Sequence, residues 1–212
     1  VSLSEKVSAN ISGGGKFARY FTALSFYNQD GQYKVNPGQY DWVPSEVGRF
    51  GKNINYKRYN FRTNVDMDIT TTTVVSVGLQ GNVIENTTPV EGSDAIYRDI
   101  INAAPNAMPV LFKDGKLAAR DGLNNPYSML TQKGYGKTMG NSLRANLTIA
   151  QDLKFITEGL TAKLIYAYDY ANTTTETRQR GISFWEASGR DEFGELVRQE
   201  YQKENHQDVL NY

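Results

Sequence analysis

Cysteine is absent from this 212-residue chain, which excludes disulfide scaffolds, thiolate catalysis and zinc-thiolate sites. Histidine occurs once, as His206 in the polar run QKENHQD, so the chain supplies neither a multi-histidine metal site nor a His-based catalytic triad. No stretch of about 18 consecutive apolar residues is present, hence no helix of bilayer-spanning character, and residues 1–30 lack the basic-then-apolar order of a signal peptide. Net charge is missing too. Twenty-three basic residues cancel 23 acidic ones, so no global field points to nucleic acid or to an anionic membrane surface, and no nucleic-acid partner is expected.

What remains is polar overall but rich in amphipathic rings. Apolar residues make up only 39%, mean hydropathy is −0.54, and yet 12% of residues are aromatic, 14 of them tyrosine. The apolar residues are arranged with period two. From Tyr56, the side chains of Lys57, Tyr59, Phe61, Thr63, Val65, Met67 and Ile69 fall on one face, and those of Arg58, Asn60, Arg62, Asn64, Asp66 and Asp68 on the other. That alternation is a strand. After a short linker at residues 70–73, Val75, Val77, Leu79 and Val83 alternate with Ser76, Gly78, Gln80 and Asn82, which completes a hairpin. Similar units start at Val7, Ala9 and Ile11, turn through GGGKF and return in ARYFTALSFYN, and again run from Leu143 to Ile149 and back through Leu164, Tyr166, Tyr168 and Tyr170. Six strands in three hairpins are expected, interrupted only where Phe21 breaks the alternation.

Turns inside the hairpins are short, near residues 13–17, 70–73 and 154–159, whereas the links between hairpins, near 28–55 and 86–138, are long. In an antiparallel meander all short turns then lie at one end and all long loops at the other, the asymmetry of an outer-membrane β-barrel. Strands of roughly 9 to 14 residues suffice to cross a bilayer at a tilt. Charges of both signs on one face, and aromatics at strand ends (Phe26, Tyr27, Tyr59, Phe61, Tyr168, Tyr170), fit a polar lumen and an interfacial girdle. The alternative is a soluble all-β carbohydrate-binding or adhesin sandwich, which would bury the same apolar face between two sheets.

Three collinear segments carry a more specific signal. VSANISGGGKFARYFTALSFYNQDGQYK, YKRYNFRTNVDMDITTTTVVSVGLQGNVIENTTP and YGKTMGNSLRANLTIAQDLKFITEGLTAKLIYAYDY together resemble TonB-dependent outer-membrane transporters of the SusC/RagA type from Bacteroidetes, over most of residues 5–180. The resemblance implies an antiparallel transmembrane β-barrel of about 22 strands closed by an N-terminal plug. It also implies a SusD-like surface lipoprotein as a lid, uptake of oligosaccharides or peptides driven through TonB, and a place in the bacterial outer membrane among its lipids. Residues 1–212 correspond to an early part of such a barrel domain, without plug, TonB box or the remaining strands. Neither catalytic activity nor a metal or organic cofactor is implied.

Motifs of other chemistries have plainer readings. DMDIT, residues 66–70, matches the DxDxT of haloacid-dehalogenase-like phosphatases, but that chemistry needs a buried parallel strand and a following helix. Two lumen-facing carboxylates near a turn, in reach of Arg58 or Arg62, are expected instead. GYGKT, residues 134–138, imitates the end of a P-loop but has Thr131 where a glycine is required, and a strand follows the lysine. The Asn-x-Thr sequons at Asn86 and Asn172 are loop and strand composition in a bacterial setting.

Candidate lumen-facing residues are Arg58, Asn60, Arg62, Asn64, Asp66 and Arg144; wall or plug-docking salt bridges are the plainer role for the arginines. In the long loops, Tyr97, Tyr127 and Trp185 are candidates for stacking on sugar rings or on the lid, or for packing the loop itself. SDAIYRDIINAAP predicts a short helix with Ser93 as N-cap and Pro105 past its end, and a second helix is expected around residues 195–204.

Overall fold

Period-two alternation becomes strand wherever the sequence carries it. A computed structural model describes residues 2–33, 54–120, 122–202 and 209–211, and in it the chain is an all-β, antiparallel structure. The strands are β1 (Ser4–Gly14), β2 (Ala18–Asp30), β3 (Asn55–Asp68), β4 (Thr73–Pro89), β5 (Gly134–Asp152), β6 (Thr161–Gln179), β7 (Phe184–Arg190), β8 (Leu196–Gln202) and β9 (Val209–Asn211). Two helices, α1 (Ser93–Asn102) and α2 (Pro126–Thr131), lie between β4 and β5. A seven-stranded sheet runs β1-β2-β3-β4-β5-β6-β9, so the first six strands form a plain meander, while β7 and β8 pair with each other.

The short turns are closed locally. Gly15 N–H donates to Ala18 O at 2.8 Å between β1 and β2, and Leu153 N–H to Leu160 O at 2.9 Å between β5 and β6. Between β3 and β4 the threonine run supplies hydroxyls: Thr70 Oγ1 donates to Thr73 Oγ1 at 2.7 Å and accepts from Thr72 N–H at 3.2 Å. Strands β4, β5 and β6 extend beyond the expected lengths, to 17, 19 and 19 residues. Their extra residues, such as Asn86 to Thr88 and Thr173 to Thr175, have no alternation to betray them and are placed by backbone pairing.

Register carries one apolar face across all six long strands. Ala9, Leu24, Phe61, Gly81, Leu143 and Tyr170 form one row; Tyr20, Val65, Val77, Leu147 and Tyr166 form another. The row of Val7, Phe26, Tyr59 and Val83 closes the band, with the Phe26 and Tyr59 rings 5.0 Å apart. Beyond it the same face turns polar at Asn28, Lys57 and Glu85.

Gly81 is a fitted position within this face, because a Cβ there would collide with the Phe61 ring lying over it. Gly81→Ala should therefore cost about 1–3 kcal/mol, as overpacking does. In a Phe61→Ala background the same substitution should be nearly neutral. Urea unfolding of the four proteins of this cycle checks it, and additive effects would remove the ring from above Gly81.

The sheet encloses no core of its own. In its six long strands the buried residues are three glycines and one proline, Gly78, Gly81, Pro89 and Gly134. Among the described residues, the ten buried hydrophobic side chains lie in a layer at the long-loop end. One cluster joins Leu111, Leu117, Ala119, Ile182 and Phe184, with Tyr127 packed against it; the other joins Ile96, Met129 and Leu130, with Tyr33, Ile54 and Ala95 alongside. Helix α1 begins one residue earlier than its sequence signal, on Gly92 rather than Ser93, and no side chain caps it.

The second expected helix is instead the β7–β8 hairpin. Asp191 Oδ1 accepts from the N–H groups of Phe193 and Glu195 at 3.0 and 2.8 Å, and Gly194 adopts φ +80°, so a tight turn forms where a helix would have had to begin. His206 and the end of that segment lie outside the described residues.

Candidate functional site

Strand pleating places Arg58, Asn60, Arg62, Asn64, Asp66 and Arg144 together on the polar face of the sheet, in neighbouring rows of β3 and β5. The central row reads Asn10, Ala23, Arg62, Gln80, Arg144, Asp169. Around it a recess of about 220 Å³ is lined by Arg62, Asn64, Gln80, Arg144, Asn146 and Asp169. Asn60 Nδ2 donates to Ser25 Oγ at 3.1 Å, and the Arg58 guanidinium stands 6.0 Å from the Tyr27 ring centroid. Asn82 Oδ1, between Asn60 and Ser142 in register, has no partner among the described residues.

The charged pairs differ from the expected ones. Asp68 is bound by Arg19, whose two guanidinium nitrogens donate to its two oxygens at 3.2 Å each, rather than by Arg58 or Arg62. Arg58 and Arg62 lie ten and six residues along β3 from Asp68, whereas the β2–β3 register sets Arg19 opposite Asp66 and diagonal to Asp68. Arg144 pairs with Asp169 at 3.6 Å, a partner that the alternation of β6 places on this face. Both of these side chains are mostly exposed, so the pair contributes little to stability and leaves either group free to meet a ligand. Strand β3 is antiparallel to both its neighbours, so Asp66 and Asp68 lack the parallel-strand setting of a DxDxT nucleophile. Residues 134–138 open β5, which is not the helix a P-loop needs.

The three loop aromatics separate. Tyr97 is 60% exposed on α1. Tyr127 packs against the larger apolar cluster, and burial pushes its phenol pKa up despite an opposing hydrogen bond with Thr131. Trp185 is half-buried in β7, with Lys116 Nζ 3.7 Å from its ring centroid. Beside Tyr97, Tyr33 donates its hydroxyl to Ser93 O at 3.1 Å; burial, then the Asp94 carboxylate and Tyr97, raise its pKa.

Sequence reasoning passed over Asn125, the hub of this layer. It is 2% exposed and caps α2, its Oδ1 accepting from Ser128 N–H at 3.3 Å while its Nδ2 donates to Val110 O and Ala118 O at 2.8 Å each. The signal was present as Asn-Pro, a cap residue before a proline in the first helical turn. Set against protein-family models and against curated proteins, the chain matches none.

Proposed function

We propose that the chain is wall of a transmembrane β-barrel in the bacterial outer membrane, part of a TonB-dependent importer of the SusC/RagA type. In this reading it acts with a SusD-like lipoprotein lid, takes up oligosaccharides or peptides, and performs no catalysis. The observation that carries the reading is the apolar face kept in register across six strands, with no second sheet lying over it among the described residues. A sandwich would have to bury Tyr59, Phe61, Val65, Met67, Val75, Val77, Leu79, Leu147 and Ile149 between two sheets, and none of them is buried here.

Dimensions support the same reading. From Tyr59 to Met67 the band spans about 27 Å along β3 at ~3.4 Å per residue. A tilt of about 40° leaves roughly 21 Å along the bilayer normal, against a band of ~25 Å in outer-membrane barrels. The Phe26–Tyr59 pair and the polar Lys57–Glu85 row bound the band on the long-loop side, where a headgroup interface belongs. The opposite face carries Arg62, Gln80, Arg144, Asn146 and Asp169, groups suited to a water-filled lumen.

Single-cysteine labelling tests this in a chain that has no cysteine of its own. A bilayer-confined probe should reach positions 61, 79 and 147, and a water-soluble maleimide positions 60, 80 and 146. If the first set resists both reagents while the second labels freely in a soluble protein, the apolar face is an internal core and the sandwich replaces the barrel.

A further inference from the structure

Three separate segments of the loop layer are stapled together by backbone hydrogen bonds. Trp185 N–H donates to Leu117 O at 2.9 Å, Ala119 N–H donates to Trp185 O at 3.0 Å, and Arg180 N–H donates to Lys133 O at 2.9 Å. Between them lies a recess of about 190 Å³, lined chiefly by Lys116, Gln132, Arg180, Ile182, Ser183 and Trp185. Its floor is apolar at Ile182, its wall is an indole, and its polar groups are an amide, a hydroxyl and two cations.

Two observations say what it takes. Gln132 is only 6% exposed, and its Nε2 has no hydrogen-bond partner among the described residues. A buried amide N–H without an acceptor is costly, so the site lacks an acceptor at that atom. The second is charge. Lys116 and Arg198 both pair with the carboxylate of Asp114, at 3.6 and 2.7 Å, and Glu91 is held by Lys133 at 3.0 Å. No carboxylate among the described residues pairs with Arg180. The recess therefore offers an unmatched guanidinium beside an unmatched amide donor.

We propose that this recess binds a carboxylate, received by the Arg180 guanidinium and the Gln132 amide, with Trp185 as a wall against the rest of the ligand. An acidic sugar and a peptide C-terminus share that chemistry. Site and barrel are independent: carboxylate binding in the loop layer stands whether or not the sheet crosses a membrane.

Fluorescence reads the site directly. The chain has two tryptophans, so Trp42→Phe leaves Trp185 as sole reporter. The full chain carrying that change, in detergent micelles, is titrated with galacturonate, its methyl ester, a tripeptide with a free C-terminus and the same tripeptide amidated. Saturable change with either acid and none with its neutral counterpart is expected, and which acid responds identifies the source.

Arg180→Gln should weaken binding at least about tenfold, the loss of one charge-assisted hydrogen bond, while Arg180→Lys keeps part of it. Amide spectra of the β7–β8 hairpin verify that both variants fold. Equal responses to acid and neutral forms, no saturable response, or an Arg180→Gln variant that binds like its parent would each overturn the proposal and assign the Gln132 amide to an ordered water only.

Discussion

Leu79→Arg is expected to lower the stability of the proposed barrel of which this chain is wall, folded whole into lipid vesicles, by about 2–4 kcal/mol, the cost of an arginine on the lipid face at mid-membrane. Leu79 sits in the central row of the apolar face, with Thr63 on one side and Ala145 on the other, two rows from either margin of the band. Ala167→Arg is the control. It lies on the polar face opposite Asn146, one step along β6 from Asp169, and should cost close to nothing. Urea unfolding in vesicles measures both. A sandwich core would also reject arginine at 79, so the depth series decides. Arginine in place of Val83, at the girdle row, should cost only about 0–1 kcal/mol, because the guanidinium reaches the interface there. A core position would show no such relief, and equal costs at 79 and 83 would count against a bilayer around this face.

Much of the sheet was legible because period two is imposed by strand geometry itself. Once Phe61 and Leu79 are on one face, Arg62 and Gln80 must be on the other, and six strands with this pattern leave little choice of register. The long-loop layer was not legible, for a different reason. Its core residues, Leu111, Leu117, Ile182 and Phe184 among them, come from short segments without periodicity and meet only because backbone groups near Trp185 bond to Leu117 and Ala119. The stretch from Leu196 to Tyr201 has residues that suit a helix, yet Asp191 and Gly194 fix a turn just before it and β7 supplies a strand to pair with. A local propensity was overridden by a neighbour. Ion pairing failed similarly: the acids and bases of β3 were visible, but the partner of Asp68 came from β2 through the register. The carboxylate recess had no sequence signal at all, since Lys116, Gln132 and Arg180 are far apart in the chain.

Asn125→Ala should uncouple the loop layer from the sheet. The side chain makes three hydrogen bonds while almost wholly buried, one to the first turn of α2 and two to carbonyls on either side of residues 110–118. Removing it leaves Val110 O and Ala118 O without that donor, strips α2 of its cap and opens a small void. Loss of the cap alone costs about 0.5–2 kcal/mol. Ala118 O, stranded in a buried setting, adds roughly 1–3 kcal/mol, whereas Val110 O is partly exposed and keeps the Ala118 N–H at 3.5 Å, so a local loss of about 2–5 kcal/mol is expected. The layer holds only two modest apolar clusters and has little in reserve against such a loss. Hydrogen exchange should accordingly accelerate at Ser128, Met129 and Gln132, and at Ala119 and Trp185, whose amides bond within the same layer. Exchange in the paired centre of β3, β4 and β5 should not change, because those strands draw their stability from backbone ladders and from whatever covers the apolar face. Uniform acceleration over the whole chain would mean that the sheet depends on the loop layer for its folding. Protection retained near Trp185 would mean that the backbone bonds between 117–119 and 185, rather than Asn125, hold the layer together.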